Sequence, residues 1–205
     1  MRGPAFTVLV ERLRDHDPGL FPTGIWNEEL DREIMDLVTS SLAEDRSQFD
    51  LGYGMAIKAG LHLWNESLHR SHVLSQDILN STGCYWHGLM HRMEGDYDNS
   101  KYWFEKAGRH PIFSRLQFIK EDIVYDGDWE YAASHELRVG LHQLYVQRSW
   151  DPILFVDLVQ GTVTTGYETK LEKILTALQK QEIITLLEYS YRNACGGQTI
   201  EPFNR

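Results

Sequence analysis

Apolar residues return every three or four positions along most of this chain, and no useful stretch alternates apolar with polar. That spacing lays a stripe along one side of a 3.6-residue helix, whereas a half-buried strand needs a period of two. An all-α fold is therefore expected. Phe6, Leu9, Val10 and Leu13 form the first stripe, which stops before Asp17-Pro18-Gly19. Asn27 is a good cap for a helix through residue 42, whose acidic first turn suits the helix dipole and whose stripe is Leu30, Ile34, Leu37 and Val38. Further helices are expected over 52–64 and 67–79, broken at Asn65-Glu66 and ended by Asn80-Ser81-Thr82-Gly83. Then come 84–94, a Gly95-Asp96-Tyr97-Asp98 turn, and 99–107, with Gly108 as C-cap and Pro111 beyond. Asp128 is expected to cap a helix through 145, with Leu137, Leu141 and Leu144 inward. Trp150-Asp151-Pro152 starts another helix, and a loop over 161–166 precedes the last, 167–194, which stops at Gly196-Gly197.

A length of 205 residues suits one domain with one core: N-terminal helices over 1–50, two hairpins over 51–111, and C-terminal helices over 112–205. Hydrophobic content of 42% and charged content of 24% are ordinary for a globular chain. No apolar run approaches the roughly 20 residues that span a bilayer. The N-terminal apolar patch meets Glu11 and Arg12 too soon for a signal peptide. A formal charge of −10 without a basic run argues against nucleic acid as a partner. Cys84 and Cys195 make neither a disulfide framework nor a metal-type spacing, so a cytoplasmic protein is expected. A homo-oligomer is compatible with all of this.

The most informative segment is 84–111, rich in His, Trp and Tyr. On a helical wheel Tyr85, Trp86, Leu89, Met90 and Met93 fill one broad arc, the expected core face. His87, His91 and Glu94 fall opposite, within about 60° of one another, beside Cys84 and Gly88. His and Glu three or four positions apart reach each other along a helix, and Gly88 leaves room for a ligand or a second helix. His72 and Gln76 pair at i and i+4 on the preceding helix. Lys101, Tyr102 and Glu105 face away from Trp103, Phe104 and Ala107 on the next, and His110 follows its cap. If these hairpins pack side by side, His72, His87, His91, Glu94 and Tyr102 or His110 converge. A further line of Tyr131, His135, Arg138 and His142 runs along a later helix.

Three readings of the cluster stand side by side. Its members form a satisfied polar network that only orients hairpins. Alternatively, a histidine beside a tautomer-fixing carboxylate moves protons next to a carbonyl, as isomerisation, elimination or ring closure requires. Or His87 and His91 hold a metal, with Glu94, His72 or His110 completing the set; HxxxH is a ligand spacing, although Gly88 stands where a metalloprotease has its Glu. The leading expectation is a cofactor-free small-molecule enzyme, a cyclase, isomerase or lyase acting on a carbonyl-containing metabolite such as a secondary-metabolite intermediate. His87, His91, Glu94 and His72 are its catalytic residues, and Gln76, Lys101, Tyr102 and His110 bind substrate. Cys84, at a helix start, is a conceivable nucleophile if its thiol pKa is lowered. No GxSxG, phosphate-cradling glycine loop or dinucleotide fingerprint is present.

Residues 86–111, with Trp86, Leu89, Gly95, Tyr97, Ser100, Phe104, Ala107 and Pro111, resemble one tetratricopeptide unit, which makes a protein-interaction scaffold the alternative. The run 85–104 is also similar to a family of uncharacterised bacterial and fungal proteins with the pattern YWHxxMHRxExDYxNAKYWFxxxGxHP. Ser71-His72-Val73-Leu74-Ser75-Gln76 and Trp150-Asp151-Pro152 with Phe155, Val156 and Asp157 match two further elements of that family. The resemblance spans most of 51–157, and Ser100 replaces an alanine. It implies that His72, Gln76, His87, His91, Glu94, Lys101 and His110 travel together, and it carries no activity.

Overall fold

The computed structural model describes residues 4–43, 45–132, 134–166 and 169–197, and among these every regular element is helical. Helix α1 (Pro4–Arg14) buries Phe6, Leu9, Val10 and Leu13. Helix α2 (Glu28–Asp36) starts where Asn27 Oδ1 accepts from the Leu30 amide at 2.9 Å. It ends about six residues sooner than its pattern suggests, and two 3-10 turns follow, Thr39–Ser41 and Arg46–Gln48. The Ser41 hydroxyl donates to the Val38 carbonyl at 2.7 Å, a local bond that competes with helix continuation.

Helices α3 (Leu51–Trp64), α4 (Leu68–Ser75), α5 (Ser81–Glu94) and α6 (Tyr97–Ala107) pack as consecutive neighbours. The break between α3 and α4 is built by Glu66, whose φ of 60° is left-handed. Its carboxylate accepts from the Gly19 amide at 2.7 Å and so ties the break to the loop after α1. Helix α4 stops at Ser75 rather than 79; beyond it Ile78 is buried, whereas Leu79 is 93% exposed. Asn80 caps α5 three residues before the expected start, and Gly95, with φ 85°, closes it.

The chain then adds α7 (Phe113–Ile123), a 3-10 turn (Asp128–Tyr131), α8 (His135–Val146), α9 (Pro152–Thr165) and α10 (Thr169–Ala194). Sequence periodicity missed α7, whose buried face includes Lys120 beside Leu116. Lys120 donates to the carbonyls of Leu144 (2.7 Å) and Gln147 (2.6 Å), terminating α8 from the side. Asp128 does not cap α8; Ser134 does, accepting from the Leu137 amide at 3.1 Å. Asp151 and Pro152 start α9 as expected, and the helix continues through the anticipated loop to Thr165. The expected helix start at Tyr167 lies outside the described residues.

Helix α5 is central, with every residue from Thr82 to Met93 buried. Helix α10 packs along α3 and also against α7, so N-terminal, middle and C-terminal stretches share one core. Two glycines permit this closeness. A Cβ on Gly60 of α3 would lie 2.5 Å from the Trp86 ring, and one on Gly88 of α5 would lie 3.1 Å from the Phe104 ring of α6. On the far side of α5, Arg92 pairs with Glu182 of α10 at 2.7 Å, both side chains fully buried. Its guanidinium lies 4.5 Å from the Phe155 ring centroid. The Tyr85 hydroxyl donates to Glu182, and Trp150 Nε1 donates to the Tyr85 hydroxyl at 3.0 Å. No described helix is long and apolar enough to cross a membrane.

Candidate functional site

His87 and His91 are one turn apart on α5, and their rings stack at 4.6 Å with an interplanar angle of 16°. His72, from α4, closes the group, with ring centroids 4.8 Å from His87 and 5.3 Å from His91. Trp103 of α6 covers His87 on another side, stacked at 4.1 Å. Two helices thus supply the imidazoles and a third covers them, and α4, α5 and α6 are held together by packing that no single helix encodes. One donor nitrogen from each of His72, His87 and His91 lies within 4.8 Å of the others.

The three imidazoles differ in what satisfies them. His91 Nδ1 lies 2.5 Å from Glu94 Oε1, and its Nε2 lies 3.1 Å from Asn99 Nδ2. A carboxylate accepts only, so Nδ1 of His91 carries the proton and Nε2 accepts from Asn99. His87 is 3% exposed, and neither of its ring nitrogens has a hydrogen-bond partner. Burial, reinforced by His91 and His72 alongside, pulls its pKa from about 6.5 down to about 3, so the ring is neutral near pH 7. Buried polar atoms in folded chains are nearly always paired, and among the described histidines His87 is the one with both ring nitrogens buried and unpaired, which asks for a ligand.

The remaining expected members are dispersed. His110 lies toward the start of α5: its Nε2 is 3.0 Å from the Thr82 hydroxyl, and its ring touches Tyr85 and Tyr189. It is buried, and that burial lowers its pKa to about 4. Lys101 reaches away to Asp157 of α9 at 2.6 Å. Tyr102 is half exposed and touches the edge of Trp103, with the Lys106 ammonium over both rings. Gln76 is exposed at the end of α4, one turn beyond His72. Cys84 is buried, and desolvation raises its thiol pKa, the opposite of an activated nucleophile.

Glu94, His72 and His110 were the expected candidates to complete a metal set with His87 and His91; His72 is the imidazole that converges on the pair, and Glu94 is hydrogen-bonded to His91. Glu94 and Asp96 also form a more exposed carboxylate group with His91. Along the later line, His142 meets the edge of Trp129, Arg138 donates to the Ala132 carbonyl at 2.7 Å, and His135 borders a groove of about 450 Å³ between α8 and α9. The Tyr131 side chain lies outside the described residues. Sequence reading overlooked Asn99 and Trp103. The signal for Asn99 was its place three residues after the Asp96 cap, in the first turn of a helix that returns past His91.

Comparison with protein-family profiles, curated proteins and solved structures gave no match for this chain.

Proposed function

We propose that this chain is a metal-dependent enzyme acting on a small molecule, with His72, His87 and His91 as ligands of a first-row transition ion. The observation that carries the reading is His87: both of its ring nitrogens are buried without a partner, between two other imidazoles with donors within 4.8 Å. Around a tetrahedral ion with bonds of about 2.0–2.1 Å, donors stand about 3.3 Å apart, so contraction of about 1.5 Å or less closes the set. Neutral imidazole suits zinc, copper, iron and nickel. Three protein ligands leave a coordination position for substrate or water, the pattern of catalytic rather than structural centres.

Glu94 supports this role by accepting from the outer nitrogen of His91, the carboxylate–histidine arrangement that orients metal ligands and raises their basicity. An ion there polarises a carbonyl oxygen, which suits a carbonyl-containing metabolite as substrate. Gln76, exposed one turn from His72, is the proposed substrate-binding side chain beside the ion. The test is metal content by mass spectrometry after purification without chelator, on wild type, His72→Ala and His87→Ala, with circular dichroism to check folding. Near-stoichiometric metal in wild type and its loss in both folded variants is the expected result. Equal metal in all three, or none in wild type after loading, removes the proposal.

A metal-free reading keeps one favourable observation, the 2.5 Å His91–Glu94 bond that fixes the tautomer of a general base. Turnover that survives complete chelation and falls in Glu94→Gln would favour it.

A further inference from the structure

The His91 nitrogen that faces away from Glu94 is already occupied. Asn99 Nδ2 donates to it at 3.1 Å, and the same amide group lies 3.4 Å from Asp96 Oδ2. Both contacts ask for a donor, so together they fix the orientation of the amide with its nitrogen toward the imidazole. The Asn99 backbone is fixed separately, because its amide donates to the Asp96 cap oxygen at 3.3 Å.

A metal ion bound along the Nε2 lone pair would stand about 2.0 Å from the ring. The Asn99 nitrogen lies 3.1 Å from that atom, so an amide on the lone-pair axis would be about 1 Å from the ion. They exclude each other. The other nitrogen, Nδ1, is a poorer choice for the ion, since its partner is a carboxylate and hydrogen bonds to charged groups are the stronger ones. The weaker, neutral bond is the one to break.

We propose that Asn99 is the gate of the metal centre: its side-chain amide occupies the coordinating nitrogen of His91 in the ion-free protein, and loading requires it to swing aside. This inference rests on the three-imidazole reading of the site. Asn99 is a positioning residue here, acting on the ion through His91. Its bond holds the empty cluster in order and lowers apparent metal affinity by the strength of one neutral hydrogen bond.

The experiment is a competitive titration of chelator-stripped wild type, Asn99→Ala and His87→Ala with Zn²⁺ against a chromophoric chelator. Asn99→Ala is expected to bind about threefold to tenfold more tightly, matching the loss of one neutral hydrogen bond. A constant unchanged within about twofold, or weaker binding that would make Asn99 a ligand, overturns the gate. Loss of binding in His87→Ala tests the centre itself, so the two failures are distinguishable. Should Asn99→Ala fold poorly, the Asn99 side-chain amide signal in nitrogen–proton spectra of wild type decides. It must shift on adding Zn²⁺, and an unmoved signal at full occupancy overturns the proposal.

Discussion

The Glu94 carboxylate lies 2.5 Å from Nδ1 of His91, one turn along the same helix, and it is the only charged group bonded to the imidazole cluster among the described residues. Glu94 is 38% exposed on its side chain while His91 is 6% exposed, so the pair bridges solvent and the buried rings. Glu94→Gln keeps shape but removes the charge and the unambiguous acceptor. Such outer partners are worth about 10–100-fold in metal affinity. Zn²⁺ affinity of Glu94→Gln is expected to fall within that range, and competitive titration measures it.

Ser100 donates its hydroxyl to the Gly88 carbonyl at 2.7 Å, where both are buried. An alanine at 100 leaves that carbonyl without the extra bond, at a cost of about 1 kcal/mol. Gly88→Ala brings a methyl to 3.1 Å from the Phe104 ring, and an overpacking cost of about 1–3 kcal/mol is offset by the roughly 1 kcal/mol that alanine gains over glycine inside a helix, for a net loss of no more than about 2 kcal/mol. Urea midpoints check both. The double replacement Gly88→Ala with Phe104→Leu is expected to cost less than the sum of its parts, because the contact is shared.

His110 contributes to the fold's acid limit, as does the more strongly shifted His87. The folded pKa of His110 is about 4, against about 6.5 for an unhindered ring. The unfolded chain therefore binds more protons through that interval, and stability falls as pH drops from about 6.5 toward 4. Above that window the contribution is fully present. Denaturant midpoints between pH 7 and 4 should decline in wild type, and less steeply in His110→Gln.

Arg92 and Glu182 are both without solvent contact, and removing one charge strands the other. Glu182→Gln preserves an acceptor for Tyr85 but leaves the arginine unneutralised, at an expected cost of about 3–5 kcal/mol. Equilibrium unfolding that shows less than about 1 kcal/mol of loss would mean that the Phe155 face and other dipoles already satisfy the guanidinium.

Local chemistry was legible in the sequence, and the joining of helices was not. Asn27, Asp151, Gly95 and Gly108 mark real termini because a cap is a property of four or five neighbouring residues. Helix α7 escaped because its inward row includes Lys120, a charge whose partners come from the end of another helix. Helices α2 and α4 end early where serine side chains bond local carbonyls, a choice that apolar spacing does not record. The division of α5 into a core face and a polar face also changes: its neighbours bury both as far as Met93 and leave Glu94, at the helix end, exposed. His87 and His91 were visible as a pair because one helix carries them. His72 joins them while Lys101 and His110 do not, because the rotation of α6 is set by contacts such as Gly88 against Phe104 and by the Ser100 bond.

Lys120 carries a consequence for how the molecule opens. The residue is 1% exposed, and its ammonium donates to the carbonyls that end α8. An acylating reagent cannot reach that nitrogen until α7 and α8 part, so its labelling rate counts openings of that one seam. Surface lysines such as Lys173, exposed on α10, supply the reference rate within the same molecule. The ratio of the two rates turns a buried charge into a clock for the C-terminal half.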